Sequence, residues 1–203
     1  MTPNRRRLAV VVFLSGGGRT LRNLLDHRDE HQLPIDIRLV ISNRSDVGGL
    51  QIAADDGIPT QVISDRDFRD PPSYRDAMFA PCREAGASHV IMAGFLRHVL
   101  IPDDFQNRVI NIHPSLLPAF GGPGMYGRHV HEAVIAKGVQ FSGCTVHFVD
   151  NVYDNGPIIH QRSCKVLPDD TAETLAARVF HEECLAMPEA IRIIAADVDV
   201  QSR

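Results

Sequence analysis

A three-layer α/β/α fold on a mostly parallel, twisted sheet is predicted by three features of this 203-residue sequence. Short apolar runs alternate with amphipathic stretches through the first half, the order that a strand–helix–strand path requires. The first run, Leu8-Ala9-Val10-Val11-Val12-Phe13-Leu14, is apolar at every position, as expected of a strand covered on both faces. Glycine-rich or polar residues follow at 15–20, Asn43, 94–97 and 111–115, the carboxyl ends of strands, where parallel sheets gather functional groups.

Taken in order, Leu8–Leu14 forms the first strand and Ser15–Arg19 a glycine turn. Thr20–His31 carries Leu21, Leu24 and Leu25 at helical spacing, with Thr20 as its cap. Ile35–Ser42 alternates as a second strand, Val47–Asp56 is a helix stopped at Gly57, and Gln61–Ser64 a short strand. Ser73–Glu84 is helical, followed by strands His89–Ala93 and Val109–His113. This half is Rossmann-like. Beyond it, Arg128–Lys137 is a helix, and Ser142–Val149 and Ile158–Val166 are strands joined by a polar loop. Asp170-Thr171-Ala172-Glu173 has the spacing of a capping box and opens a long C-terminal helix from Ala172 to about Ala186, with Pro188 kinking or restarting it before it continues to about Ala195. No repeat or linker interrupts the pattern, so one domain over 1–203 is expected, with halves at about 8–110 and 111–195.

Composition excludes several classes of function. With 44% hydrophobic and 23% charged residues the chain can build one substantial core. A net charge of -4 and the absence of Trp offer nothing to nucleic acid or to an anionic membrane. No apolar run approaches the roughly 20 residues of a membrane span. The basic stretch Asn4-Arg5-Arg6-Arg7 before the first apolar run has the outline of an export signal, but no cleavage pattern follows, and a first buried strand explains it better. Cys82, Cys144, Cys164 and Cys184 lack zinc spacing and are expected as reduced thiols in a cytoplasmic protein. His129 and His131 lie two apart on a helix and do not face each other, so no metal site is expected.

Three stretches carry chemistry. Asn111 and His113 share one face of a strand end, an arrangement costly to bury without a purpose. Asp154, in the loop between the last two strands, is a candidate carboxylate partner that would fix the imidazole tautomer and favour its charged form. The turn Gly16-Gly17-Gly18-Arg19-Thr20 offers backbone amides and a helix start to an anion such as phosphate. A dinucleotide site is disfavoured, because Leu21 occupies the place of the third glycine and Ser42-Asn43 that of the ribose-binding acid. His147 and His160 alternate into strands, with His147 the better candidate for a site neighbour because it shares a face with Thr145.

These stretches, together with Ala93-Gly94-Phe95-Leu96-Arg97, Asn111-Ile112-His113-Pro114-Ser115-Leu116-Leu117-Pro118, Gly143-Cys144-Thr145-Val146-His147 and Asp154-Asn155-Gly156-Pro157, occur in one order over about residues 8–193. In that order the sequence resembles the phosphoribosylglycinamide formyltransferases, folate-dependent enzymes of purine synthesis. The resemblance implies formyl transfer from 10-formyltetrahydrofolate to the amine of glycinamide ribonucleotide by a monomer or homodimer, without metal. It implies that Asn111, His113 and Asp154 are catalytic. Gly16, Gly17, Gly18, Arg19 and Thr20 would take the ribonucleotide phosphate, and Glu183 its ribose. Met92, Phe95, Leu96, Arg97, Val99, Asn111, Asp150, Asn151, Tyr153 and Asp154 would line the folate site, with Arg97 suited to a glutamyl carboxylate. The phosphate loop departs from the family's common Gly-Asn-Gly-Ser-Asn. Rival readings are a 10-formyltetrahydrofolate hydrolase, which uses the same trio on water, a tRNA or sugar-nucleotide formyltransferase, and a non-catalytic folate- or nucleotide-binding module.

Overall fold

The structure, a computed structural model, describes residues 7–201; the basic run from Asn4 to Arg6 lies outside the described residues. Among the described residues, seven strands and five α-helices follow in the order β1 (Leu8–Leu14), α1 (Arg19–Glu30), β2 (Ile35–Ser42), α2 (Gly48–Asp55), β3 (Thr60–Val62), α3 (Pro71–Glu84), β4 (His89–Met92), β5 (Val109–His113), α4 (Arg128–Lys137), β6 (Phe141–Phe148), β7 (Ile158–Lys165) and α5 (Ala172–Gln201). The sheet runs β3-β2-β1-β4-β5-β6-β7. β1 pairs in parallel with β2 and β4, and β2 with β3, whereas β6 and β7 are antiparallel. Among the described residues, no helix is long and apolar enough to cross a membrane. The chain divides into two compact units, one ending at Ile110 and resuming at Ile191, the other spanning Asn111–Ala190.

In the first unit β1 lies between two parallel neighbours and is buried at all seven positions, which is what its unbroken apolar run requires. α1 buries Leu21, Leu24 and Leu25 and exposes its charges except Arg28, which is half-buried against Asp56 at 2.8 Å. Its start differs from the sequence expectation. Gly18, in the left-handed region at φ 78°, is the N-cap, and Thr20 lies inside the helix. A Cβ on Gly18 would stand 2.6 Å from the Gly49 Cα of α2, so only glycine allows this close approach. α3 starts two residues earlier than predicted. Asp70 caps it by accepting from the Ser73 amide at 2.8 Å, and Pro71 and Pro72 occupy the first turn, where a missing N–H costs nothing.

In the second unit the β6–β7 ladder is held against α5 by Arg162. Its Nε donates to Glu182 at 2.8 Å, and its Nη1 reaches both oxygens of Glu189 at 3.1 and 3.2 Å. His160 is half-exposed and bonded to Glu189 at 2.8 Å, which uses its ring in the same clamp and not in a core. The helix cap is one residue out of frame with the predicted box. Thr171 and Thr174 exchange backbone-to-hydroxyl bonds at 2.9 and 3.3 Å, so Thr174 takes the second place of the box and Glu173 turns to Arg128 at 2.6 Å. Pro188 neither kinks off nor restarts α5, which is continuous to Gln201. An internal proline costs roughly 3 kcal/mol, and here Ala186, Met187, Ala190 and Ile191 are completely buried around it, an apolar gain large enough to hold the helix.

Gly143 faces Ser163 in this ladder, and a Cβ there would fall on the Arg162 carbonyl oxygen. The obstacle is backbone and cannot swing aside. Gly143→Ala is expected to destabilise the chain by about 3 kcal/mol and to lower Tm by roughly 5–10 °C, read in a thermal melt. An unshifted Tm would mean that the strands can part freely.

Candidate active site

β5 delivers Asn111 and His113 to its carboxyl end, two residues apart on one face as predicted. His113 is 3% exposed. Its Nε2–H donates to the Phe120 carbonyl at 2.8 Å; a carbonyl only accepts, so Nε2 carries the proton in every state that keeps this bond. The other ring nitrogen, Nδ1, stands 3.5 Å from Asp154 Oδ2. Asp154 sits in the left-handed region at φ 53°, which Asp tolerates better than most residues, and its Oδ2 also accepts the Gly122 N–H at 2.9 Å. The chain is turned there so that the carboxylate points inward with its side chain only 12% exposed.

Asn111 is fixed from the other side. His147 Nδ1–H donates to the Phe148 carbonyl at 2.9 Å, which leaves Nε2 to accept from Asn111 Nδ2 at 3.2 Å. Burial is the main cause that lowers the His147 pKa below its ordinary 6.5, so the ring is neutral and this direction of donation holds at neutral pH. Asp154 Oδ1 lies 3.8 Å from the same Nε2. The loop beyond β5 is pinned by Thr145, whose hydroxyl donates to the Ser115 carbonyl at 2.7 Å and accepts from the Leu117 amide at 3.0 Å and from Gln161 at 2.8 Å. Glu183 is half-buried on α5, and Cys144 feels its charge: burial first and Glu183 second push that thiol up to about 12.

In the first unit, Gly16 to Thr20 occupy the turn between β1 and α1, with Gly17 and Arg19 exposed. The Gly16 carbonyl accepts the Gly49 amide at 3.1 Å, which ties the turn to the start of α2. Of the residues expected to meet folate, Leu96 and Arg97 are exposed, but Met92, Phe95 and Val99 turn inward. Phe95 stacks obliquely on Phe13 with centroids 5.5 Å apart, so these three are core side chains that shape the loop. Arg97 Nε lies 3.3 Å from Asp65, a partner that the sequence pattern does not indicate. Asp150 closes its own loop by accepting from Val152 N–H at 2.8 Å and Asn155 Nδ2 at 3.0 Å, leaving Asn151 and Tyr153 exposed.

The model of the formyl transferase family matches residues 8–191. The chain belongs to the formyl transferase family. It is 45% identical over 188 residues to the chloroplastic phosphoribosylglycinamide formyltransferase of Vigna unguiculata, covering 88% of this chain and 58% of that protein. It is 36% identical over 193 residues to the human trifunctional purine biosynthetic protein adenosine-3, covering 94% of this chain and 19% of that protein. It therefore spans well under two-thirds of either relative. Glycinamide ribonucleotide transformylase 1 of Symbiobacterium toebii superposes with a TM-score of 0.88 at 36% identity, over 94% of this chain and 89% of that one.

Within this formyl transferase domain, sequence reasoning left three features out of the site. The Phe120 carbonyl and the Gly122 amide are backbone atoms and leave no mark in residue type. Phe120 at φ 55° is the bend that aims its carbonyl at His113. The third is a buried bridge, Ser15 to Asn43, legible only as two polar residues at the ends of apolar strands. Among the described residues no cluster of His, Cys, Asp and Glu has the make-up of a metal site.

Proposed function

We propose that this chain transfers the formyl group of 10-formyltetrahydrofolate to the primary amine of glycinamide ribonucleotide, yielding formylglycinamide ribonucleotide and tetrahydrofolate for purine synthesis. The observation that carries the reading is the pairing of buried His113 with half-buried Asp154, 3.5 Å apart, at the strand end that also presents Asn111. In this reading the amine nitrogen attacks the formyl carbon, and the carbonyl π electrons move to oxygen. The second Asn111 amide hydrogen, the one not given to His147, serves that oxyanion, and His113 adds positive charge beside it. Asp154 faces Nδ1, so the charge-completing proton of His113 sits between ring and carboxylate. The tetrahedral adduct then collapses, breaking the bond to the folate nitrogen as the proton lost by the amine reaches it, with Asp154 and His113 as the relay.

Gly16, Gly17, Gly18, Arg19 and Thr20 take the ribonucleotide phosphate through backbone amides and one guanidinium, and Glu183 takes the ribose hydroxyls. Leu96 and Arg97 contact the folate, whose glutamyl carboxylate competes with Asp65 for Arg97, and the Asp150–Asp154 loop contacts it independently. The scattered cysteines Cys82, Cys144 and Cys164, buried as thiols, suit a reducing compartment, and we place the protein in the cytoplasm.

The test is acceptor dependence. Purified protein with both substrates is expected to produce formylated ribonucleotide and tetrahydrofolate in equal amounts, and folate turnover is expected to stop when the ribonucleotide is omitted. Equal turnover without the ribonucleotide would make the chain a hydrolase using water on the same trio.

A further inference from the structure

Ser15 follows β1 directly and is 3% exposed, although it bears a hydroxyl that must be satisfied. Its Oγ–H donates to Asn43 Oδ1 at 2.6 Å, and the same oxygen accepts the Leu96 N–H at 2.9 Å. Its own amide donates to the Gly94 carbonyl at 3.2 Å. Because β1 lies between β2 and β4, these bonds join three adjacent strand ends: Ser15 after β1, Asn43 after β2, and Gly94 with Leu96 after β4. Asn43 is itself 6% exposed, so neither side of the bridge can exchange its partner for water.

We infer that Ser15 is a positioning residue that couples the turn at 16–20 to the loop at 94–97, so that a ligand ordering one lowers the cost of ordering the other. The inference rests on the reading above, in which the first segment meets the ribonucleotide phosphate and the second meets folate. Ser15 immediately precedes the first of these, and its hydroxyl holds the backbone of Leu96 in the second. One oxygen serves as donor to one strand end and as acceptor to another. Movement of the glycine turn is therefore transmitted to the Leu96 amide, and a buried amide left without an acceptor is costly. Two subsites that share one ordering cost bind cooperatively and without any large displacement. Ser15 touches neither substrate in this scheme.

The experiment measures the ribonucleotide Kd by calorimetry with and without saturating tetrahydrofolate, in the full chain and in Ser15→Ala. In the natural protein tetrahydrofolate is expected to tighten ribonucleotide binding about fivefold or more. In Ser15→Ala that ratio is expected to fall below about twofold, a loss that a merely looser fold, weakening both ligands alike, would not cause. A ratio unchanged by the substitution, or a ratio of one in the natural protein, overturns the inference. A second measurement needs no variant. Glycinamide ribonucleotide alone is expected to slow hydrogen exchange at the Leu96 amide of the natural protein about threefold or more, and unchanged exchange overturns the coupling even if Ser15→Ala does not fold. If the natural protein bound neither ligand, the functional reading itself would fall first and the inference with it.

Discussion

Asp154→Asn is expected to reduce formyl transfer by about a hundredfold to ten-thousandfold while leaving both substrates bound with less than about a threefold change in Kd. The size follows from what the amide can and cannot replace. The Gly122 N–H needs an acceptor, and the asparagine carbonyl can occupy the place of Oδ2, 2.9 Å away. The amide nitrogen then falls where Oδ1 now stands, 3.8 Å from His147 Nε2, so the loop keeps its shape. The negative charge opposite His113 Nδ1 is lost, and with it the group that in the proposed reaction holds and passes the proton. Initial rates with both substrates, set beside calorimetric binding, separate the two effects. Turnover near that of the natural protein would remove Asp154 from the reaction. A drop in both binding and turnover would make it a loop residue.

The reason this carboxylate could be named before the structure was known, and its distance could not, is physical. Strand β1 declares itself because burial on both faces forces an unbroken apolar run, and the helices because one face must be apolar. Asn111 and His113 are paired by strand periodicity alone. Asp154 reaches His113 only because β6 and β7 turn back on each other and the connecting loop bends at φ 53°, a tertiary result with no local pattern. Proline and capping signals were the weaker guides. Pro188 reads locally as a break, and burial of its neighbours overrides it. The N-cap of α1 belongs to Gly18 because α2 packs against the turn, which Thr20 by itself cannot reveal. The inward turn of Met92, Phe95 and Val99 has the same origin.

If Asn111 donates to the oxyanion as proposed, Asn111→Ala is expected to lower kcat by about a hundredfold to a thousandfold, the usual cost of removing one such donor, with little change in the KM of either substrate. The argument depends on which way the amide faces, and its neighbours decide that. Phe148 O can only accept, so His147 Nδ1 holds the ring proton, Nε2 must accept, and Asn111 must turn its NH2 group toward it. One amide hydrogen is spent on His147 and the other is left to donate. Asn111→Asp keeps the shape but has no hydrogen to give, and it sets a carboxylate against the lone pair of Nε2; it is expected to be at least as inactive as the alanine variant. The same chain of bonds carries a pH signature. Burial lowers the His147 pKa below 6.5, so the neutral ring, and with it the orientation of Asn111, persists as pH falls past the ordinary imidazole value. Only below the depressed pKa does Nε2 gain a proton, become a donor and turn the Asn111 amide around. An acid limb of kcat that moves to higher pH in a variant with His147 more exposed would tie the loss to this orientation; a limb that does not move would leave Asn111 held by something other than His147.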